Sequence, residues 1–598
     1  MSYAAPVRDM QFVLRALAGF DEIARLPGNE ELSAELVEQI LEENAKFAAG
    51  VLAPLNRPGD EEGSVWKDGE VATPKGFKDA YRQFVEGGWN ALQFPAEFGG
   101  QGLPKLVAAP VMEMWKSANL SFSLCPLLTG GAIEALLLRG SDAQQAMFLP
   151  KMIAGTWTGT MNLTEPQAGS DLALVKSRAV PEGDHYRIYG QKIFITYGEH
   201  DLAENIVHLV LARTPDAPEG VRGISLFLVP KFLVNADGSL GKRNDVRCVS
   251  IEHKLGIHAS PTAVLAYGDR EGAIGYLIGE ENRGLEYMFI MMNAARFAVG
   301  MEGVALCEAA YQKAVAYAKE RIQSRELGGS GSKPVPIIRH PDIRRMLMAM
   351  KAQAEATRAL AYVVAGAIDK AHHHPDKAEG ARAQGFVDLM IPIVKGWSTE
   401  TSIEVASLGI QVHGGMGFIE ETGAAQFLRD ARITTIYEGT TGIQANDLIG
   451  RKIARDSGAT AKALLNEIGA LRGPLLDAKG KGPDFEFIAA RLAFGVTGAI
   501  DCVQWIVEKH ATDPKAVYAG AVPFLKLMGI VCGGWQMARA ALAAQAMLER
   551  GEGDAGFLQA KIATARFFAD HILSQAAGLR DAVIEGSPGV LALAEEQF

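Results

Sequence analysis

Apolar residues recur at helical spacing over the first quarter of the chain. Leu36, Ile40 and Phe47 fall on one face of a predicted helix, and residues 141–153 show similar spacing over a shorter length. A Gly- and Pro-rich piece separates these two segments. We therefore predict an N-terminal helical domain over residues 1–155.

From about residue 156 the pattern changes to short apolar or β-branched runs bounded by Gly and Pro. These runs predict strands at residues 186–189, 192–196, 205–212 and 224–229. Gly190 is predicted to turn the chain between the first two strands, and the Asn-Ala-Asp-Gly sequence at residues 235–238 is typical of a hairpin turn. The pattern predicts a compact, barrel-like β domain over residues 156–284.

Long helical segments follow. Residues 285–323 form one predicted helix with small and apolar residues on more than one face, as expected in the core of a bundle. After a Gly/Ser loop, helical spacing returns at residues 342–408, so we predict a four-helix bundle over residues 285–455. A further helical domain is predicted over residues 456–598. The fold is thus predicted to be mainly α with a central β domain.

One apolar stretch, residues 519–538, is long enough to be compared with a membrane span. Pro523, Lys526 and four glycines interrupt it, so we predict a buried helix pair and no integral membrane segment. The N-terminal sequence has no apolar core of signal-peptide length.

Composition and charge narrow the function. At 598 residues the chain is too long for one core. Its net charge of -11 argues against a nucleic-acid surface. The five cysteines are scattered without a Cys-x-x-Cys pair, which favours reduced thiols in a cytoplasmic protein over disulfides or zinc. The three histidines at residues 372–374 lie in a helix break without nearby carboxylates or cysteines, so no metal is expected.

Candidate chemistry concentrates at residues 411–450. Gly414 and Gly415 belong to a glycine cluster, which indicates a tight turn or a backbone that a ligand approaches. Glu438 follows an apolar dipeptide and precedes a glycine. Burial there would raise its pKa, as a general base for a C–H proton requires. A glycine-rich linker with a solvated glutamate fits the same spacing equally well.

Three motifs in this stretch follow one another as Gln-x-x-Gly-Gly-x-Gly-Phe, Arg-Asp-Ala-Arg-Ile and Tyr-Glu-Gly-Thr. Their order and spacing resemble the C-terminal signature of the acyl-CoA dehydrogenases. The resemblance implies that Glu438 is the catalytic base. It also implies that the backbone from Gln411 to Gly415 approaches the flavin of a neighbouring subunit.

A second informative loop lies at residues 161–171. Its small and polar residues suit a planar heterocycle or a phosphate, although such loops are usually only turns. Its Thr-Glu-x-x-Ala-Gly-Ser-Asp sequence resembles the N-terminal signature of the same family. By that resemblance Thr164 hydrogen-bonds the pyrimidine side of FAD, and Ser170 lies along the thioester or pantetheine of acyl-CoA. The chain lacks a strand–GxGxxG–helix arrangement, so FAD fits better than NAD.

Further site residues are also implied by resemblance. Thr196 would donate near flavin N5, and Phe194 would replace the family's usual indole wall. Asn293 and Arg296 resemble the family's Asp-x-x-Arg near the pantetheine, and Arg296 serves either the substrate or an ion pair. Arg321 resembles the arginine that reaches FAD phosphate across a dimer interface. Additional cofactor contacts are implied at Met161, Leu163, Gly169, Ile195 and Thr440, and substrate contacts at Tyr437 and Gly439.

The resemblance implies FAD-dependent α,β-dehydrogenation of an acyl-CoA thioester to the trans-2-enoyl-CoA, with electrons passed to an electron-transferring flavoprotein. The chain beyond residue 455 resembles the long bacterial form of the family, which indicates a homodimer. The candidate substrates are 3-methylmercaptopropionyl-CoA and, as the alternative, a medium- or long-chain fatty acyl-CoA.

Two rival functions are an oxidase that passes electrons to oxygen and a DNA-associated family member. Residues 457–598 carry 13 Lys and Arg against 15 Asp and Glu, which disfavours the DNA-associated function because that role needs a basic surface.

Overall fold

The computed structural model describes residues 3–598, and eight helices form its N-terminal part. The helices are α1 (Val7–Ala16), α2 (Phe20–Ile23), α3 (Ala34–Phe47), α4 (Ala53–Glu62), α5 (Phe77–Glu86), α6 (Lys105–Ala118), α7 (Leu120–Arg139) and α8 (Asp142–Ile153). Ser33 caps α3 by accepting from Leu36 N, and Ser141 forms a capping box with Gln144 at the start of α8. These caps begin both helices where the sequence predicts them.

Two small hairpins, β1–β2 and β8–β9, and one larger sheet contain the strands. The strands are β1 (Val65–Lys67), β2 (Glu70–Ala72), β3 (Trp157–Asn162), β4 (Arg178–Glu182), β5 (His185–Thr196), β6 (Asn205–Ala212), β7 (Ser225–Pro230), β8 (Phe232–Val234), β9 (Leu240–Arg243), β10 (Val246–Ile251), β11 (Thr262–Tyr267) and β12 (Ala273–Leu277). The larger sheet has the order β10-β11-β5-β12-β7-β6-β3, with β4 also paired to β5. Among the strands of residues 3–598, only β3 and β6 pair in parallel, and every residue of both is buried, as is usual for parallel strands.

The predicted turn at Gly190 is wrong. β5 runs without a break through this residue, and Gly190 pairs with Tyr267 of β11. Gly190 has a φ of +141°, and a Cβ there would lie 2.4 Å from Ser177 Oγ. Glycine is therefore required for close packing within a continuous strand rather than for a turn. The hairpin turn predicted at residues 235–238 is confirmed between β8 and β9.

The helical bundle that follows contains α9 (Gly284–Glu320), α10 (Pro341–His373), α11 (Lys377–His413), α12 (Ala424–Thr434) and α13 (Thr441–Asp447). The long predicted helix is confirmed as α9. Its Gly303 allows close approach to α11, because a Cβ there would lie 2.5 Å from the Ser398 backbone.

The C-terminal part is also helical. It contains α14 (Ala459–Ala470), α15 (Arg472–Asp477), α16 (Asp484–Lys509), α17 (Pro514–Ala519), α18 (Ala521–Arg550), α19 (Ala555–His571), α20 (Ala576–Ile584) and α21 (Ser587–Val590). The fold is therefore mainly helical with a central β sheet, as predicted. The division into domains at residues 155, 284 and 455 stays a prediction.

The helix pair predicted at residues 519–538 is wrong, because most of this stretch belongs to the single helix α18. By length and composition α7, α9 and α18 are each apolar enough to cross a membrane. Their most apolar windows are 72%, 72% and 83% buried within the protein. In this fold these apolar residues therefore contribute to the core.

A buried ionic cluster joins the N-terminal segment, the bundle and the C-terminal helices. Arg358 of α10 contacts Asp9 at 2.8 Å, Glu113 at 2.6 Å and Glu308 at 2.7 Å. Lys561 of α19 contacts Asp9 at 2.6 Å. Four helices remote in sequence (α1, α6, α9 and α19) are thus held to α10 by charge-assisted hydrogen bonds.

Candidate active site

Glu438 lies in the loop between α12 and α13, in a backbone conformation that is rare for residues other than glycine. Its φ is +53°, and Gly439 follows at +85°. Two side chains hold the turn: Lys395 Nζ donates to Gly439 O at 2.7 Å, and Gln444 Nε2 donates to the carbonyls of residues 438 and 439 at 3.2 Å each. A strained residue held this firmly by its surroundings is a functional candidate.

Glu438 is half-buried as a residue, so part of its surface stays open. Burial and, to a smaller extent, the nearby Glu302 together raise the pKa of Glu438 to about 7, against the opposing charges of Lys395 and Arg296. A carboxylate with this pKa is matched to proton transfer near neutral pH. The solvated linker that the sequence left open does not describe this environment.

Arg296 lies on α9 and acts electrostatically on Glu438. Its Nη1 contacts Asp447 Oδ2 at 3.4 Å, so the ion-pair alternative for Arg296 is present in the structure. Its buried Nε has no hydrogen-bond partner among residues 3–598. A buried donor of this kind is costly unless a ligand or water accepts from it, so a substrate role fits as well. Asn293, one turn earlier, is exposed.

A buried ion pair between Lys192 and Glu165 holds the loop that follows β3. Lys192 Nζ donates to Leu163 O at 3.0 Å and to Glu165 Oε1 at 2.8 Å, and Ile193 N donates to Thr164 O at 2.9 Å. Burial lowers the pKa of Lys192 to about 8. Burial alone would raise the pKa of Glu165, but the Lys192 ammonium lowers it to about 2.

These contacts settle where the loop's predicted site residues lie. Met161 is buried at the end of β3, Leu163 and Thr164 are half-buried, and Gly169 and Ser170 are exposed. The ion pair therefore holds the base of the loop and leaves its small polar residues accessible.

Phe194 lies beside this loop in β5 with a φ of +60°, and 59% of its surface is exposed. A bulky residue in the left-handed region is a backbone outlier. Ile195 is buried in the sheet and Thr196 is half-buried. The outlier turns an aromatic ring outward beside Thr164, where it forms an exposed apolar wall.

The glycine cluster lies at the end of α11. Gly414 has φ +60° and ψ -141°, and an added Cβ at Gly414 or Gly415 would meet no atom within 4 Å. The Tyr317 ring of α9 stacks on the His413 ring of α11 at 4.3 Å, which brings the ends of these two helices together. Gln411 and Arg321 are exposed at these ends. The ends of α9 and α11 therefore present one open surface.

The predicted site residues thus form three groups. Glu438, Tyr437 and Gly439 share a turn with Arg296 nearby, the loop of residues 161–170 is joined to β5, and the ends of α9 and α11 form a separate surface. Thr440 caps α13 by accepting from Ile443 N at 3.2 Å.

Three charged residues near Glu438 were not predicted from the sequence: Lys116, Glu302 and Lys395. Each is an isolated charge within an otherwise apolar helical segment, and that is the signal that identifies them. An unpaired charge on a buried helix face requires a partner.

The structure fits a bound FAD. The exposed Phe194 ring and the half-buried Thr164 and Thr196 suit one face of a heterocycle, and the open backbone at Gly414 and Gly415 leaves room for close approach of a phosphate or ring. These observations come from two separate surfaces of one chain.

Four family models match the chain. They are "Acyl-CoA dehydrogenase, N-terminal domain" at residues 35–156, "Acyl-CoA dehydrogenase, middle domain" at 160–269, "Acyl-CoA dehydrogenase, C-terminal domain" at 282–453 and "Acetyl-CoA dehydrogenase C-terminal like" at 461–594.

Several relatives match nearly end to end. The chain is 55% identical to 3-methylmercaptopropionyl-CoA dehydrogenase of Ruegeria pomeroyi, over 96% of each chain. It is 35% identical to a butyryl-CoA dehydrogenase of Syntrophomonas wolfei, over 100% of this chain and 99% of the relative. A Bacillus anthracis acyl-CoA dehydrogenase solved in complex with FAD shares the fold, with a TM-score of 0.72 and 20% identity over 98% of this chain and 93% of that chain.

Proposed function

This chain belongs to the acyl-CoA dehydrogenase family and is an oxidoreductase, and on that premise we propose that it converts an acyl-CoA thioester into the trans-2-enoyl-CoA with FAD as oxidant. The observation that carries the proposal is the half-buried Glu438, held in a left-handed turn with a pKa raised to about 7. Such a carboxylate can accept a proton near neutral pH.

Glu438 is the base that accepts the α proton. FAD, when bound, supplies the acceptor for the hydride that leaves the β carbon, so that two C–H bonds break and one C=C bond forms. The Glu438 N–H donates to no backbone oxygen in the part of the chain that the structure describes. It is therefore available to the thioester oxygen, where negative charge develops as the α proton leaves. Arg296 offers its buried Nε to the pantetheine portion or to a bound water.

The cofactor would be held by two surfaces. Thr164, Phe194 and Thr196 would contact the ring system, whereas the Gln411 to Gly415 backbone and Arg321 would serve the FAD of a second subunit. A homodimer is supported by the apolar residues exposed beside the glycine cluster, where Phe418 is 85% exposed. Sedimentation at the mass of two chains is the expected result, and a monomer that binds FAD stably would contradict this arrangement.

We propose 3-methylmercaptopropionyl-CoA as the first candidate substrate, because the 55% identical relative carries that name. A partly open pocket between α6 and α7 gives further support. It measures about 40 Å³ and is lined mainly by apolar side chains that include Trp89, Phe94 and Trp115. This volume admits about three water-sized groups, enough for a short acyl end. Aromatic walls favour a thioether sulfur over a methylene.

The direct test is a panel of acyl-CoA thioesters scored by bleaching of the flavin absorbance under anaerobic conditions. We expect the fastest bleaching with 3-methylmercaptopropionyl-CoA and butyryl-CoA, and slower bleaching as the chain lengthens to palmitoyl-CoA. Fastest bleaching with palmitoyl-CoA would support the fatty acyl alternative instead. Failure of every thioester to bleach a fully loaded enzyme would contradict the proposed reaction.

The pH dependence of flavin reduction follows from the Glu438 pKa. The base acts as the carboxylate, so the second-order rate of reduction should rise about tenfold per pH unit below a midpoint near pH 7 and level off above it. Stopped-flow reduction at pH 5 to 9 measures this profile. A profile that is flat from pH 5 to 9 would show that a carboxylate with this raised pKa does not limit reduction.

We propose an electron-transferring flavoprotein as the acceptor and a cytoplasmic location, which the five free and buried cysteines support. Turnover should be slow with air alone and fast with ferrocenium or an electron-transferring flavoprotein. Equal rates in air and with ferrocenium would support the oxidase alternative.

A further inference from the structure

A second buried carboxylate, Glu302, lies in α9 beneath the turn that carries Glu438. Its side chain is fully buried. Its Oε1 contacts Lys116 Nζ at 3.4 Å, and its Oε2 accepts a short hydrogen bond from the Tyr437 hydroxyl. Lys116 belongs to α6 and also lines the pocket between α6 and α7. Three elements remote in sequence therefore meet at one carboxylate next to the candidate base.

Stability alone does not account for this pair. Transferring two charges into a protein interior costs several kcal/mol each, and apolar replacements of buried ion pairs are often neutral or stabilising. The neighbours of Glu302 along α9 are small or apolar, among them Gly303, Val304 and Ala305. A methionine or leucine at residue 302 would suit such a helix, so the charged pair points to a role at the site.

The role that we infer for Glu302 is to hold the turn at Glu438. Lys395 and Gln444 hold the carbonyls of residues 438 and 439, but they do not fix the residue that precedes the base. The Tyr437 backbone N–H donates to Ile433 O at 3.1 Å, and the Tyr437 side chain is held by its hydroxyl, which donates to Glu302. A left-handed residue persists only when its surroundings hold it on both sides.

We propose that Glu302 is a positioning residue for Glu438: anchored by Lys116, it accepts from the Tyr437 hydroxyl and holds the catalytic turn in its left-handed conformation. The inference rests on the proposed function, because it assumes that Glu438 is the base. Glu302 acts through Tyr437 and touches no reacting atom.

The charges around Glu438 define a second readout. From α9, Glu302 raises the Glu438 pKa and Arg296 lowers it, and Lys395 of α11 lowers it too. Burial raises the pKa of Glu302, and Lys116 of α6, the Tyr437 hydroxyl and Lys395 oppose that rise and favour its charged form. Asp447 and Arg451 face Arg296. Loss of the Glu302 charge should therefore move the midpoint of the pH profile to lower pH, which a purely structural role would not do.

The test compares Glu302→Gln with the double variant Lys116→Met/Glu302→Leu in FAD-loaded enzyme. Glutamine keeps an acceptor for Tyr437 and removes the charge, whereas the double variant removes both without leaving a buried charge unpaired. We expect the double variant to retain its FAD but to reduce it about 100-fold more slowly at saturating acyl-CoA, because displacement of a base by about 1 Å has an effect of that order. Glu302→Gln should retain most of the rate, and both midpoints should move to lower pH.

Tyr437→Phe separates the two contributions, because it removes the hydrogen bond and keeps the Glu302 charge. Its reduction rate should fall while its midpoint stays in place. A double variant with the unaltered rate and midpoint would overturn the proposal. Glu438→Gln measured in parallel keeps the two hypotheses apart: if that variant stays active, the proposed base is wrong, whereas an inactive Glu438→Gln beside an unaffected double variant contradicts only the role of Glu302.

Discussion

Substitution of Glu438 by glutamine is expected to lower the rate of flavin reduction by acyl-CoA by about 100- to 10,000-fold, because a positioned general base contributes an acceleration of that size. Glutamine has nearly the same shape but cannot accept the α proton. The turn should persist, since Lys395 and Gln444 hold its backbone carbonyls rather than the Glu438 side chain. FAD content and acyl-CoA binding should therefore match those of the unaltered enzyme.

The variant should also be no less stable than the unaltered protein. In the folded chain the pKa of Glu438 is raised from 4.5 to about 7, so the folded state binds more protons than the unfolded state between these values. Its carboxylate therefore costs stability as the pH rises through this window, and that cost stays in full above pH 7. Glutamine removes this cost, so unfolding cannot explain a loss of activity.

Anaerobic stopped-flow reduction measures the effect, with FAD stoichiometry and acyl-CoA titration as companion readouts. Glu421→Gln is the matched control, because Glu421 is an exposed acid 17 residues earlier in the same segment. That variant should reduce at the unaltered rate. If Glu438→Gln retained a tenth of the activity or more, Glu438 would not be the base.

The local pattern predicted helix starts well because their causes are local. Ser33 and Ser141 lie three residues before the amides that they cap, so spacing alone identifies them. The turn predicted at Gly190 was wrong because the cause of this glycine is not local. Its requirement for glycine comes from Ser177, which packs against it from another segment, and a local pattern contains no such information.

The apolar stretch that became α18 shows the same limit. Pro523 lies in the first turn of the helix, where proline is tolerated because no intrahelical hydrogen bond requires its amide. Gly529 and Gly533 are not breaks either: a Cβ on either would lie within 2.4 Å of the Trp397 side chain. These two glycines leave room for the Trp397 indole of α11. Residues that looked like helix breaks in the sequence are therefore the places where α18 contacts α11.

Site residues that belong to contiguous motifs could be predicted from the sequence, whereas charged residues that meet only in the folded chain could not. Glu438 follows from a contiguous motif. Glu302 lies 186 residues from Lys116 and 135 from Tyr437, so their contacts arise only in the folded chain. The buried cluster around Arg358 is of the same kind, since Glu113 lies 245 residues away.

Replacement of Arg358 by methionine is expected to lower the free energy of unfolding by about 3–5 kcal/mol, the usual effect of removing one partner from a buried ionic cluster. Only 1% of the Arg358 side chain is exposed, and its guanidinium bonds to Asp9, Glu113 and Glu308. Methionine fills much of the volume but leaves these carboxylates without their shared cation. Glu113 would keep only the hydrogen bond from Tyr362 at 2.7 Å.

The loss should grow as the pH rises, which distinguishes a charge effect from a packing effect. Without Arg358 the buried carboxyls can escape their desolvation by taking up protons, so the variant should be closest to the unaltered protein near pH 5 and furthest from it near pH 8. Arg345→Met is the control, because Arg345 is half-exposed on the same helix and pairs with Asp342 at 2.8 Å. Such surface pairs contribute up to about 1 kcal/mol.

Thermal midpoints at several pH values, read with limited proteolysis of the C-terminal helices, measure the result. Because Lys561 of α19 also depends on Asp9, loss of Arg358 should make the C-terminal helices the first to become sensitive to protease. A midpoint within the range of Arg345→Met at every pH would show that the cluster contributes little. The buried carboxylates would then be neutral in the folded chain, and the helices would be joined by their apolar contacts alone.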